Sequence, residues 1–477
     1  MTPEPTFKPT LILHGGAGAI HRSTLPPDLW AKYEASLLAY LRSAKHLLDN
    51  GACALDAAVH AVSLMEDDEL YNCGRGSVFT SAGTIEMEAS VMVTSVRGDT
   101  DVVDKSYTMK RGAGVIGIRN VRHPIQLAKE VLTRTGQDEN GDPDGEDKSR
   151  GGSMHSQLAG PYVEDLARGW GLEFKPDEWF WTHKRWEEHR KGLENSQSQG
   201  ESTSTPLPDH GYPSQGTVGC VCLDQWGVLA VATSTGGLTN KLPGRVGDTS
   251  TLGAGFWAET WELEVSDHPV SLLVRQPERM QYLPQTGTGQ DPLPPAAHKS
   301  IWDVTLSDCW PELLNILKER LASRNDAHLG TTRALVKHSY LDEKPKYLRS
   351  QKKRRAVAVS GTGNGDSFLR TAAARTACAM MRFSEQTVSL ADAVTAIAGA
   401  NGELQRSAGR RWGRTGEGQG GIIGIEVEID VAAAGSGLHR GKVVFDFNCG
   451  GMFRAWAEDG VNGGDIEHVM VFKEPYR

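Results

Sequence analysis

The stretch PSQGTVGCVCLDQWGVLAVATSTGG, residues 213–237, decides how the rest of the chain is read. Two apolar runs, 218–223 and 228–234, flank the polar turn DQWG, so the segment is predicted to fold as an antiparallel hairpin. Pairing about that turn carries Thr217 to within a residue or so of the partner of Thr235, placing two hydroxyls at one end of the hairpin. Upstream, residues 196–216 are Ser, Thr, Gln, Pro and Gly with hardly any apolar side chain, a composition that cannot bury enough surface to order itself. An apolar hairpin therefore starts on a Gly-Thr pair directly out of polar chain. One reading is an ordinary junction between loop and strand. The other is that the chain is cut between Gly216 and Thr217. A threonine hydroxyl is a poor nucleophile without a base beside it, and its own α-amine can serve once the residue is an N-terminus. The small Gly216 would leave the preceding carbonyl open to attack.

Outward from the hairpin, residues 10–20 (TLILHGGAGAI) read as a buried strand breaking into a glycine-rich turn. Residues 25–52 carry Pro26 and Pro27 at the start and Gly51 after the end. Between them Leu29, Tyr33, Leu37, Leu41 and Leu47 recur at helical spacing. ALDAAVHAVSLMEDD reads as a second helix, and YNCGRGSVFTSAGTIEMEASVMV and GAGVIGIRNV as strands with glycine turns. The charged segment 137–152 reads as a loop, followed by a helical interval reaching about residue 195. Residues 261–355 read as a surface insertion with a helix at 309–323. They also include the TGTG of 286–289, which is not a binding motif, and end in the basic run Lys352 to Arg355, taken as a solvated loop end rather than a nuclear signal. The chain closes on strands around GGIIGIEVEI and KVVFDFNCGGMFRAW.

The chain has 477 residues, 39% of them hydrophobic, and 54 glycines. Its net charge of -9 argues against general nucleic-acid binding. No apolar run approaches the length of a membrane helix, and no apolar leader opens the sequence, so a cytoplasmic protein with reduced thiols is expected. The seven cysteines are scattered. Cys220 and Cys222 share one face of a strand and are expected to be buried. The fifteen histidines form no metal-ligand spacing, so no catalytic metal or other cofactor is expected.

Two further loops carry candidate chemistry. SGTGNGDSF, residues 360–368, lies between a strand and a helix, where backbone N–H groups can meet an anion or a developing oxyanion, or where the chain simply turns. KLPGRVGDTS places Arg245 and Asp248 three residues apart in a glycine-broken loop. Together they could grip the carboxylate and ammonium of a free α-amino acid, or form a surface ion pair.

In combination, LILHGGAG, YNCGRGSVFTSAGTIEMEASVM, GAGVIGIRNVRHPIQLA, residues 216–258, VAVSGTGNGD and FNCGGMFRAW resemble the plant-type asparaginase / isoaspartyl aminopeptidase family of N-terminal nucleophile hydrolases, in that family's order. The resemblance implies an α+β fold, a four-layer αββα sandwich, with residues 1–216 and 217–477 as its two subunits, a linker at about 192–216 and the insertion at about 261–355. It implies cleavage at Gly216–Thr217, with Thr217 as nucleophile, Thr235 hydrogen-bonded to it, and Thr362 with the Gly363 N–H as oxyanion hole. Asn72 would lie beside the nucleophile. Arg245 would bind the substrate α-carboxylate and Asp248 the α-ammonium, with Gly365 in the same pocket. The loop 65–75 resembles one that holds a structural sodium, or potassium, through backbone carbonyls, here those of Met65, Glu66, Asp68, Tyr71, Cys73 and Arg75. A small-molecule or short-peptide substrate and a homodimer of cleaved protomers follow from the same resemblance, with no nucleic-acid or membrane partner.

Three departures stand out. Glu88 occupies a position where the family usually has aspartate, and MVTS after it lacks the usual Asp-Gly, so this strand is expected to pack differently. The insertion is absent from compact members. TGNGD resembles the glycosylasparaginase branch. Hydrolysis of glycosylated asparagine, a taspase-like protease and a non-catalytic binding relative are therefore the alternatives to hydrolysis of L-asparagine or β-aspartyl peptides.

Overall fold

The hairpin forms at the centre of an eight-stranded sheet in a computed structural model that describes residues 6–97, 111–134, 155–198, 216–265, 351–384, 387–430, 438–460 and 464–476. The strands, in chain order, are β1 (Phe7–Lys8), β2 (Thr10–Gly18), β3 (Met87–Ser95), β4 (Gly112–Ile118), β5 (Gln157–Ala159), β6 (Val218–Leu223) and β7 (Val228–Thr235). They continue with β8 (Phe256–Val265), β9 (Gln351–Gly363), β10 (Gly420–Asp430), β11 (His439–Arg440), β12 (Lys442–Phe447), β13 (Gly451–Asp459) and β14 (Asp465–Met470). The large sheet runs β14-β13-β2-β6-β7-β3-β4-β5, a second sheet runs β12-β10-β9-β8, and β1 pairs with β11 alone. The quoted segment thus supplies β6 and β7, in the register Val218↔Ser234 to Leu223↔Leu229 that counting from the turn requires.

Both faces of the hairpin are apolar because both are buried. Cys220, Cys222, Ala230 and Ala232 point into a core shared with the helices Pro27–Asp49, Ala54–Glu66 and Pro124–Arg134. Val221, Leu223, Leu229 and Val231 point the other way, into a core shared with Phe256, Ala358, Ile423 and Ile425 of the second sheet. A third core joins Val357, Val359 and Ile422 to the helices Ala373–Phe383 and Leu390–Ala398. Each aliphatic side chain removed from water in these cores contributes roughly 1.5–3 kcal/mol.

Glu88 opens the regular part of its strand. β3 pairs with β7 from Glu88↔Thr235 to Ser95↔Val228 and with β4 on its other edge, the one irregularity falling between Met87 and Glu88. The insertion is shorter than its sequence suggested. β8 and β9 form a continuous antiparallel ladder from Phe256↔Ser360 to Val265↔Gln351, so 261–265 and 351–355 belong to the sheet. Lys352 to Arg355 are strand residues, not a loop end. The charges of residues 353–355 are matched across the ladder: Arg354 pairs with Glu262 at 2.9 Å, Lys353 with Glu428 at 2.8 Å, and Arg355 with Glu428 at 2.9 Å and Glu426 at 3.4 Å. The contacts divide the chain into one unit of 1–266 with 350–477 and a second of 267–349. The helix His183–Ser198 extends past residue 192, where the linker was expected to begin. The readings for 137–152, 199–215, 286–289 and 309–323 fall outside the described residues. Among the described residues, no helix is long and apolar enough to cross a membrane.

Candidate active site

Thr217 sits just before β6, 4% exposed, where the hairpin meets the ends of the other strands. Its carbonyl accepts a hydrogen bond from Thr362 Oγ at 2.8 Å, and Thr362 Oγ in turn accepts from the Ala17 N–H at 3.1 Å. Thr362 is at the end of β9, paired with Gly421 of β10, so both sheets contribute to the same corner. Gly216 lies against this corner. A side-chain carbon there would stand 2.5 Å from Thr362 Oγ and 2.8 Å from the Gly363 nitrogen, closer than any real contact allows. The Gly216–Thr217 bond therefore lies beside the two groups the sequence assigned to an oxyanion hole. Beyond Gly363, Asn364 caps the helix Gly365–Thr371, its Oδ1 accepting from the Ser367 N–H at 3.1 Å, which fixes the loop with about 1 kcal/mol of capping energy.

Thr235 lies opposite Thr217 but does not hydrogen-bond it. Its hydroxyl accepts from the Gly237 N–H at 3.0 Å, a local turn that a threonine readily makes with its own backbone. The Thr217 hydroxyl pairs instead with Thr249 Oγ at 2.8 Å. Thr249 stands in the quoted GRVGDTS loop, but no spacing rule connects it to Thr217. Asn72 is placed against the turn after β7: its Nδ2 donates to the Gly237 carbonyl at 2.8 Å, its Oδ1 accepts from Val78 at 3.0 Å, and its carbonyl accepts from Gly236 at 2.8 Å. It holds the frame of the turn that follows Thr235.

Arg245, Asp248 and Gly365 do converge. The space where a Gly365 side chain would stand is occupied by Asp248 Oδ1 and lies 3.0 Å from Arg245 Nη2. Arg245 Nη2 also donates to Asp366 at 3.0 Å, whose own side chain is half exposed. Asp248 is buried, and its Oδ2 has no hydrogen-bond partner among the described residues. Burial pushes its pKa up to about 7, the Glu88 carboxylate adds to that rise, and Arg245 opposes it. Glu88 braces the loop between the two charged residues, accepting from the Gly247 N–H at 2.7 Å and from Ser250 Oγ at 3.0 Å. Lys241, another buried cation that the sequence reading did not single out, donates to the Gly236 carbonyl at 2.8 Å and to that of Glu86. Burial lowers its pKa to about 8. These braces are set by long-range packing, and residue type alone carried no signal for them.

The corner thus brings together a buried hydroxyl, a hydroxyl and N–H pair beside its peptide bond, and a cation and a carboxylate in one pocket. The hydrogen-bond partner of the Thr217 hydroxyl is another hydroxyl, not an imidazole or a carboxylate. Among the described residues, no cluster of His, Cys, Asp and Glu side chains could hold a metal ion.

A family model described as "Asparaginase" matches residues 7–138 and 150–266. The chain is 34% identical to "Isoaspartyl peptidase" of Salmonella typhimurium over 259 residues, 54% of this chain and 72% of that protein. It is 34% identical to "Isoaspartyl peptidase" of Escherichia coli, over 54% and 70% of the two chains. It is 33% identical to "Isoaspartyl peptidase/L-asparaginase" of Xenopus laevis, over 53% and 67%. The matched family segment contains Asn72, Thr217, Thr235, Arg245 and Asp248. Thr362, Gly363 and Gly365 lie beyond it and join them through the second sheet.

Proposed function

Because the chain belongs to the asparaginase family whose model it matches, we propose that it is a threonine amidohydrolase that cuts itself at Gly216–Thr217 and then hydrolyses L-asparagine or β-aspartyl peptides. The observation that carries this reading is the pocket of Arg245, Asp248 and Gly365. It offers a guanidinium for an α-carboxylate and a buried, unpaired carboxylate oxygen for an α-ammonium. A taspase-like substrate, with no free ammonium, would leave Asp248 without a partner.

In self-cleavage, Thr217 Oγ attacks the Gly216 carbonyl carbon and the Gly216–Thr217 C–N bond breaks. The hydroxyl proton ends on the Thr217 nitrogen. The shift leaves a free Thr217 α-amine and a Gly216 ester on Oγ; water then hydrolyses that ester, restoring the Thr217 hydroxyl and releasing a Gly216 carboxylate. That amine supplies the base that the neighbouring hydroxyl cannot. It takes the Oγ proton as Oγ attacks the β-carbonyl carbon of the bound aspartyl group. Thr362 Oγ and the Gly363 N–H stabilise the oxyanion, a contribution of roughly 3–4 kcal/mol for one well-placed donor. Ammonia or an amine leaves with that proton, and water releases aspartate from the β-aspartyl-Thr217 ester.

The deciding experiment incubates purified protein at neutral pH and follows intact mass together with aspartate release from a β-aspartyl dipeptide and from L-asparagine. A piece beginning at Thr217 with activity on either substrate is the expected result. An uncut chain inert to both would favour a binding protein. Gly216→Ala is expected to slow the cut about 10-fold or more, since relieving such overpacking costs roughly 1–3 kcal/mol; the measure is the half-time of cleavage. Gly365→Ala crowds Asp248 and Arg245 by the same reasoning, and is expected to raise KM at least about 10-fold while cleavage at Gly216 proceeds.

The four-layer αββα sandwich is part of this reading. It is supported by three successive cores, helices against the large sheet, sheet against sheet, and the second sheet against helices. So is a sodium or potassium ion in the loop 65–75. The Met65 carbonyl accepts from the Asp68 N–H and the Cys73 thiol, while those of Glu66 and Asp68 each accept one bond, from Arg75 and Tyr71, and keep a second lone pair. With those of Tyr71, Cys73 and Arg75 they make an all-oxygen donor set suited to a hard cation. It would hold the loop that carries Asn72 and supply no chemistry. A cytoplasmic homodimer of cleaved protomers completes the proposal, tested by sedimentation of the processed protein.

A further inference from the structure

Thr249 has no assigned role, yet it is the residue that touches the Thr217 hydroxyl. Its own placement is unusually constrained. Its carbonyl accepts from Ser90 Oγ at 2.5 Å and from Thr233 Oγ at 3.3 Å, and those two hydroxyls are 2.7 Å apart. Ser90 belongs to β3 and Thr233 to β7, so two adjacent strands of the large sheet fix the Thr249 backbone. Glu88 fixes the residues on either side through Gly247 and Ser250. Every member of this network except Gly247 is a buried polar side chain. A β-branched residue has few side-chain rotamers, so a fixed backbone leaves the Thr249 hydroxyl few places to point.

We infer that Thr249 is a positioning residue that sets the rotamer of the Thr217 hydroxyl, first for self-cleavage and then for attack on substrate. The inference rests on the proposed function. Thr249 neither gains nor loses a proton over the reaction. It holds Oγ by one hydrogen bond, while the proton moves to the Thr217 nitrogen as described above. A second consequence comes from the chain itself. Thr249 follows Asp248 directly, so the residue that binds the substrate ammonium and the residue that aims the nucleophile share one peptide bond. Ligand binding at Asp248 and alignment of Thr217 are therefore mechanically linked through a segment braced on both sides. A static loop at Arg245 would provide binding alone.

The test compares Thr249→Val, which replaces the hydroxyl by a methyl of similar size, with Thr249→Ser, which keeps the hydroxyl. Self-cleavage half-times, kcat and KM on a β-aspartyl dipeptide, and thermal midpoints are measured for both and for the natural protein. The expected result is cleavage slowed at least about 10-fold in the valine variant, with kcat of any processed enzyme lowered by a similar factor and KM unchanged. The serine variant recovers most of both rates. Thr249→Ala, which removes packing rather than adding it, replaces the valine variant if that one does not fold. Natural rates in the variants lacking the hydroxyl would overturn the inference. So would equal losses in the serine and valine variants that track their thermal midpoints, since that marks packing alone. If the natural protein neither cuts itself nor hydrolyses substrate, the proposed function fails first, and the inference with it.

Discussion

Thr217→Ala is expected to leave a single uncut chain with no hydrolytic activity, the largest effect of any single change in this protein. Both reactions use the same oxygen. Removing it abolishes the attack on the Gly216 carbonyl, and without that cut no free α-amine exists to act as base. A lost nucleophile alone lowers kcat by roughly a million-fold in a hydrolase that depends on it. Here the missing base compounds the loss. Folding should survive, because Thr217 contributes one buried hydroxyl hydrogen bond, worth about 1 kcal/mol, while its carbonyl bond to Thr362 remains. Intact mass and thermal midpoint together check this. Thr217→Ser retains an oxygen without the methyl that restricts its rotamer, and should cut more slowly but to completion. A Thr217→Ala chain that separates into the two pieces would overturn self-cleavage by this residue.

Asp248→Asn is expected to lower kcat/KM by about 100- to 1,000-fold, since removing one member of a buried charge pair costs roughly 2–5 kcal/mol. The cut at Gly216 needs no ammonium and should continue, so the variant separates substrate capture from processing. The same residue predicts the pH profile. Its carboxyl is pushed up to about 7, chiefly by burial. Only the charged form can bind an ammonium, so kcat/KM should rise as pH increases through about 7 and then level off. Stability follows the opposite course. The folded group binds a proton that the unfolded group, with its ordinary value of 3.8, has already released. Its stabilising contribution is full below about pH 4 and is lost as pH rises through about 7. Asparagine carries no such charge, so Asp248→Asn should have a higher thermal midpoint than the natural protein at pH 8, and little or no advantage at pH 5. A midpoint that falls equally at both pH values would show that Asp248 is a structural carboxylate.

The legible parts of this molecule were those set by neighbours in sequence. The hairpin announced itself by its apolar runs and turn, and its register followed by counting. Arg245 and Asp248 stood out as a candidate pair because opposite charges three residues apart in a loop suit the two ends of an amino acid, and the family resemblance gave them that role. What escaped was set across the sheets. Thr235 sits where the count put it, but its hydroxyl is taken by a backbone N–H two residues on, and Thr249 reaches Thr217 from a different strand connection. The run QKKRR reads as solvent-facing loop because nothing local offsets its charge. The offsetting carboxylates, Glu262, Glu426 and Glu428, lie on the flanking strands β8 and β10. The same charge density that disguised the strand moved the expected edge of the insertion by several residues at each end.

Those edges carry a consequence of their own. Val265 and Gln351 are directly opposed across the β8–β9 ladder, so the chain leaves the sheet and re-enters it on the same rung, with roughly 5 Å between the two Cα atoms. A short turn could bridge that gap as readily as the present 267–349 segment. The register that delivers Thr362 to Thr217 is written in residues 351–363 and their partners. It is indifferent to how much chain is threaded through the opening. Lineages could therefore gain, lose or exchange material at this point as they would a bead on an open clasp, with no recalibration of the chemistry at the far end of the thirteen-residue strand that starts there.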